Sequence, residues 1–153
     1  MSEAAALPHI DEHSATIDAG PRATWDALLR VVDGSFSARV VPRFASVLGC
    51  ADTRAGGPRP LAEGSTLPGF HVEVATAQRE LALAGGHRFS DYSLIFRLED
   101  LGDGGTRLRA ETRAAFPGLK GEAYRTMVIR TRGHVLATRR LLGATKRRAE
   151  RNS

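Results

Sequence analysis

The chain has 153 residues, 42% of them hydrophobic and 25% charged, with a formal net charge of +5. That length suits one domain built on one core, and no run approaches the ~18 uninterrupted apolar residues that would suggest a membrane span. The single cysteine, Cys50, cannot form an internal disulfide, and with no second thiol at a ligand spacing, zinc and redox chemistry have little support.

Met1 to Pro8 lacks a basic region followed by an apolar block, so no secretory signal is expected and a cytoplasmic location follows by default. One domain is expected over residues 9–150, with 1–8 and 151–153 as flexible termini. His9 to Asp18 alternates loosely, with His13, Ala15 and Ile17 on one side, as in a half-buried strand. Gly20-Pro21 then signals a helix, because proline suits the first helical position. Trp25, Leu28, Leu29 and Val32 follow at helical spacing and give it one apolar stripe. A second short helix is predicted over Phe36 to Leu48, with Pro42 opening or kinking it. Residues 49–66 are rich in Gly, Pro and Ala and read as a long loop, either a mobile flap or plain surface irregularity.

Strands dominate the next stretch. Phe70 to Ala75 and Glu80 to Ala84 are short and bounded by the turn signals Pro68-Gly69 and Gly85-Gly86. His87 to Glu99 carries Tyr92, Leu94, Phe96 and Leu98 on one face and Asp91, Ser93 and Arg97 on the other, with Ile95 breaking the alternation. After the hairpin signal Asp103-Gly104-Gly105, Thr106 to Phe116 repeats the pattern. Leu108, Ala110, Thr112, Ala114 and Phe116 share one face; Arg107, Arg109, Glu111 and Arg113 share the other. Such alternation marks antiparallel strands with one covered face. Pro117-Gly118 ends the last strand, and Leu119 to about Arg151 contains no proline, so one long helix is predicted to cover that face. Its stripe is Tyr124, Met127, Val128, Thr131, Val135, Thr138 and Leu142.

The positive charge is concentrated in that last element. Residues 119–153 hold ten Lys or Arg against Glu122 and Glu150, while the rest of the chain carries twelve basic and fifteen acidic groups. Clustered cations attract nucleic acid or an anionic membrane surface. A solvated helix face ending in a basic tail is the preferred reading.

Several residues carry a resemblance to a known fold. The order of elements is that of the helix-grip fold: an α+β domain whose curved antiparallel sheet, of six to seven strands, wraps a long C-terminal helix, with two short helices after the first strand. The stretch from Ala19-Gly20-Pro21 to Trp25 resembles the opening of the first helix in the SRPBCC (START-like, Bet v-like) superfamily, which includes polyketide cyclases. Gly64-Ser65-Thr66, Pro68-Gly69-Phe70, the string Arg88 to Tyr92, and Phe116 through His134 look like a branch of that superfamily common in actinobacteria.

The resemblance implies a cavity between the helix and the concave sheet, which suits a hydrophobic lipid or polyketide-like ligand; no cofactor or metal is expected. Its candidate lining is His13, Tyr92, Leu94, Phe96, Ala110, Thr112, Tyr124, Met127, Thr131 and His134. His134 lies beside the helical stripe and is suited either to general-base or hydrogen-bonding work or to a structural contact with a strand. Tyr92 needs a partner for its hydroxyl if buried. Glu111 among its arginines reads as cross-strand ion pairing on the wet face.

No G-x-S-x-G, H-E-x-x-H, phosphate-loop or dinucleotide motif is present. Three functions therefore compete: a binding protein for a hydrophobic molecule, a cyclase or dehydratase working through His134, Tyr92 or His13, and an interaction module using the basic helix. A homodimer is left open.

Overall fold

The computed structural model describes residues 2–36, 54–87, 90–118, 122–123, 125–126 and 133–153. Its elements in chain order are α1 (Glu3–Ala6), β1 (His9–Ile17), α2 (Pro21–Phe36), β2 (Thr66–Leu67), β3 (Phe70–Thr76), β4 (Glu80–His87), β5 (Ser90–Asp100), β6 (Thr106–Ala115) and α3 (Gly133–Arg151). The six strands form one antiparallel sheet in the order β1-β6-β5-β4-β3-β2. Strands β2 to β6 follow one another as a meander, and β1 pairs with β6 at the far edge.

The inner face of this sheet carries the core. Ile17, Val72, Leu81, Leu83, Leu94, Phe96, Leu108 and Ala110 meet the buried stripe of α2, formed by Trp25, Leu28, Leu29 and Val32, and Leu141, Leu142 and Ala149 of α3. Complete burial of each Leu, Val or Phe contributes roughly 1.5–3 kcal/mol. Helix α3 packs on α2 and β1. Its C-terminal half is also tied there by polar contacts: Lys146 Nζ donates to Thr16 O at 2.7 Å, and Glu150 accepts from Asp18 N at 3.0 Å.

Two irregularities decide which side chains face inward. In β1 the register shifts between His9 and Asp11, so His9 stands opposite Arg113 and Asp11 opposite Thr112. A bulge of this kind places one extra residue against the partner strand. It sends His9 to the outer face and Asp11 to the inner one. A second shift, between Val72 and Val74, sets Val72 inward and Val74 outward, with Glu73 as the extra residue.

The outer face is partly covered as well. Residues 3–6, expected within a flexible terminus, form α1, and Ala4 packs on Ala82, Ala84 and Ile95. This explains why Ile95 interrupts the alternation of β5: it is the apolar seat of α1. The helix is held at its start by Glu73, whose carboxylate accepts from Glu3 N at 2.6 Å and Ala4 N at 2.8 Å. Arg113 Nη1 holds its other end, donating to Ala5 O at 3.0 Å and Leu7 O at 2.8 Å.

Other boundaries move for identifiable reasons. Gly85-Gly86 is not a turn but the continuation of β4, which runs to His87, and β5 starts at Ser90. Gly85 pairs with Tyr92, and a Cβ on Gly85 would lie 2.7 Å from Tyr92 Cε2 and collide with Gly69 O. The ring therefore occupies the space that a side chain would need, and glycine here permits the strand rather than ending it. The first helix continues to Phe36; the second predicted helix lies outside the described residues, as does Cys50. Of the 49–66 loop, the described part is tied down by the Gly56–Thr66 bridge, by Ser65 Oγ donating to Pro58 O at 2.7 Å, and by an Arg59–Asp33 ion pair at 3.0 Å. Glu122, Ala123, Arg125 and Thr126 are helical.

Candidate functional site at the β1 end of the inner face

Register fixes two cross-strand rows on the inner face. One runs His13, Ala110, Phe96, Leu81 and Ala75; the next runs Asp11, Thr112, Leu94, Leu83 and Val72. Both rows are apolar from β5 to β3 and polar where they reach β1. Phe96 and Ala110 are fully buried in the core and Leu94 nearly so, while Thr112 is half-buried.

The polar end gathers three ionisable side chains. His134, in the first turn of α3, places Nε2 at 3.0 Å from Asp11 Oδ2, and His13 Nε2 lies at 3.4 Å from the same oxygen. The side chains of Asp11, His13 and His134 are 23%, 21% and 20% exposed. Two of their polar atoms, Asp11 Oδ1 and His134 Nδ1, are buried and have no hydrogen-bond partner among the described residues. The α3 backbone under His134 is steadied by Thr138 Oγ1, which donates to His134 O at 2.8 Å.

Among the sequence candidates, the structure brings His13 and His134 together on Asp11 and sets Thr112, Ala110, Phe96 and Leu94 in the adjoining rows. Tyr92 lies further along β5. Its hydroxyl donates to Gly69 O at 2.7 Å, and its ring meets Phe70 edge-on at 5.1 Å. Tyr124, Met127 and Thr131 lie outside the described residues. Asp11 is the residue that sequence reasoning missed. Counting back two positions from His13 would have placed it on the inward side of β1, although the bulge that separates it from His9 leaves no sequence signal.

Glu111 belongs to the outer face. Its carboxylate contacts Arg113 at 2.8 Å, His9 at 2.8 Å and Arg97 at 3.3 Å. The Arg113 hydrogen bond, reinforced by those to His9 and Arg97, outweighs burial and lowers its pKa from the ordinary 4.5 to about 2. This is an anchoring network for β1, β5, β6 and α1. A cleft of about 520 Å³ between α2 and the last turn of α3 is lined by Arg22, Arg30, Arg148 and Asp26 among others. Among the described residues, no group of three or more His, Cys, Asp or Glu side chains is arranged to hold a metal ion, and no helix is long and apolar enough to cross a membrane.

A six-stranded antiparallel sheet with α2 and the C-terminal α3 on its inner face is a helix-grip architecture. Comparison with solved structures gives the same fold. The chain is similar to the Zhui aromatase/cyclase from Streptomyces sp. R1128, with a TM-score of 0.55 and 16% identity over 95% of this chain and 94% of that one. It is also similar to a protein from Chromobacterium violaceum, with a TM-score of 0.54 and 12% identity over 94% and 99% of the two chains. Ara h 8.0201 matches with a TM-score of 0.50 and 13% identity over 91% and 95%. At such identities the likeness establishes the fold alone. No family model matches the chain, and neither does any curated protein.

Proposed function

We propose that the chain is a binding protein for a hydrophobic small molecule, lipid or polyketide-like, held between the inner face of the sheet and the C-terminal helical segment. The observation that carries this reading is the composition of the inner face: apolar from β3 to β5, with Asp11, His13 and His134 confined to its β1 end. Ligand sites commonly have apolar walls and a few convergent polar groups that fix orientation. The helix-grip neighbours, one of them named an aromatase/cyclase, support the same reading. Organic extraction of the natively purified protein followed by mass spectrometry, together with titration of fluorescent fatty acids and polycyclic aromatics, tests it. Saturable binding of one molecule per chain is expected; blank extracts together with no saturable binding would refute the reading.

A second reading, a cyclase- or dehydratase-like enzyme, is favoured by one observation, the Asp11–His134 contact at 3.0 Å. A carboxylate that fixes the orientation of an imidazole is the arrangement that lets the other ring nitrogen take a proton from a bound substrate. Turnover of a poly-β-ketone thioester that drops in His134→Ala supports it. Turnover that survives simultaneous replacement of His13, Tyr92 and His134 removes these residues from any such mechanism.

A further inference from the structure

We infer that the cleft between α2 and the last turn of α3 is an anion site that takes a phosphate-type group, carried by a soluble phosphate compound or by a lipid headgroup. No residue of the two inner-face rows lines this cleft, so the inference stands apart from the hydrophobic-ligand reading.

Two helix faces build the site. Arg22, Asp26 and Arg30 follow one another at four-residue steps and share one face of α2; Arg148 and Asn152, at the same step, stand opposite them at the end of α3. The wall between is made of Gly20, Ala23 and Ala27, whose small size leaves about 520 Å³ open. Small-molecule sites occupy roughly 300–1,000 Å³. The space is reachable from solvent, since Arg22 and Arg30 are exposed and a Cβ added at Gly20 would meet nothing within 4 Å.

Its charge is one-sided: three guanidiniums against one acidic side chain, Asp26. On the sheet and its loops Arg59, Arg97, Arg107 and Arg113 each sit on a carboxylate. Among the described residues no carboxylate lies within ion-pair distance of Arg22, Arg30 or Arg148, and a concave surface of one sign concentrates its field on whatever enters. The start of α2 adds to that field. First-turn amides of a helix lack intrahelical acceptors and carry the positive end of its dipole, while α2 has no acidic residue in its first turn and Gly20 before it brings no side-chain oxygen. The other cations of α3 are placed differently: Arg139, Arg140, Arg147 and Arg151 are exposed to solvent, and Lys146 is bonded to Thr16 O and Glu150. All three cleft cations are arginines, whose planar forks match phosphate oxygens two at a time. A phosphate dianion offers enough oxygens to meet more than one fork, which a single carboxylate does not.

The test uses the whole chain and inorganic pyrophosphate, followed by calorimetry at about 0.02 M and about 0.2 M salt. Saturable binding of one pyrophosphate per chain is expected, weaker at the higher salt. Arg148→Gln, and separately the exposed pair Arg22→Gln with Arg30→Gln, should each weaken it at least about tenfold. Arg140→Gln removes the same charge from the exposed face of α3 and should change affinity less than about twofold. Asp26→Asn should tighten binding about twofold or more, a gain that damage to the fold would not produce. Flotation with phosphatidylcholine vesicles, with and without phosphatidic acid, separates the two sources. Vesicle binding that needs phosphatidic acid and Arg148 assigns a lipid headgroup; pyrophosphate binding without vesicle binding assigns a soluble phosphate compound. Absence of both, or an equal loss in Arg140→Gln and Arg148→Gln, overturns the inference.

Discussion

His134 Nε2 lies 3.0 Å from Asp11 Oδ2, joining the first turn of α3 to an inward-facing residue of β1 across 123 positions of sequence. The contact has a structural role besides any ligand role, since it closes one end of the seam whose other end is pinned by Lys146 and Glu150. Removing the carboxylate leaves two half-buried imidazoles without their acceptor. Asp11→Ala is expected to lower stability by about 1–2 kcal/mol in urea unfolding, and His134→Ala by a similar amount. His13→Ala should cost less, because its 3.4 Å contact is near the limit of a hydrogen bond. A double-mutant cycle should find Asp11 coupled to His134 more strongly than to His13. The reverse order, or no coupling, would contradict the geometry.

Glu111 predicts acid sensitivity. Its side chain is 8% exposed and touches Arg113, Arg97 and His9, and its folded pKa is lowered from 4.5 to about 2. A lowered carboxylate pKa contributes stability that is fully present above the unfolded value and lost as pH falls through the folded one. Replacement by Gln should therefore cost about 2–3 kcal/mol at pH 7. The gap between wild type and Glu111→Gln should narrow as pH drops from 4.5 towards 2. Parallel stability curves across that window would show that the carboxylate's charge is not what holds the network.

The extent to which sequence disclosed this molecule follows from the kind of information each feature needs. The period-two faces of β5 and β6 and the helical stripe of α2 were readable because each residue's side is set by its own neighbours. The Asp103-Gly104-Gly105 hairpin was readable for the same reason: Gly104 has φ +86°, and Gly105 N donates to Asp103 Oδ1 at 2.9 Å. What escaped depended on partners far along the chain. Ile95 breaks the alternation of its own strand because Ala4 of α1 packs on it. Gly85 resembled a turn residue because the ring that takes its place belongs to another strand. His134 and His13 stood out as histidines beside apolar faces, yet the carboxylate that unites them follows a bulge, and bulges carry no local composition.

Gly85 offers a steric test of that relationship. A methyl group at this position would meet Tyr92 Cε2 at 2.7 Å, Tyr92 Cζ at 3.1 Å and the Gly69 carbonyl. The ring cannot simply swing aside, because its hydroxyl bonds Gly69 O at 2.7 Å and its edge packs on Phe70. Gly85→Ala is expected to destabilise the fold by about 2–3 kcal/mol. Tyr92→Phe, which removes only the hydroxyl, should cost about 1 kcal/mol. Thermal unfolding of the two variants provides the comparison, and a Gly85→Ala protein as stable as wild type would mean that the ring does not lie over the strand.

Helix α1 yields the last prediction. Four residues are far too few for a helix to persist alone in water, so α1 exists through its attachments. These are Glu73 at the N-terminal amides, Arg113 at the Ala5 and Leu7 carbonyls, and Ser93 Oγ donating to Ala4 O at 2.8 Å. The apolar reward is small, because Ala4 is the one residue of the helix buried on Ala82, Ala84 and Ile95. Glu73 supplies two charge-assisted bonds to backbone amides, and losing a helix N-terminal acceptor costs about 1 kcal/mol. Glu73→Ala should therefore release α1 while leaving β3 and β4 paired. Hydrogen exchange is expected to show lost protection at the Glu3, Ala4 and Ala5 amides and unchanged protection along β4 and β5, with the global unfolding midpoint moving by no more than the equivalent of about 1 kcal/mol. If those three amides remain as protected as in wild type, Glu73 is not the latch, and Arg113 with Ser93 is enough to keep the helix on the sheet.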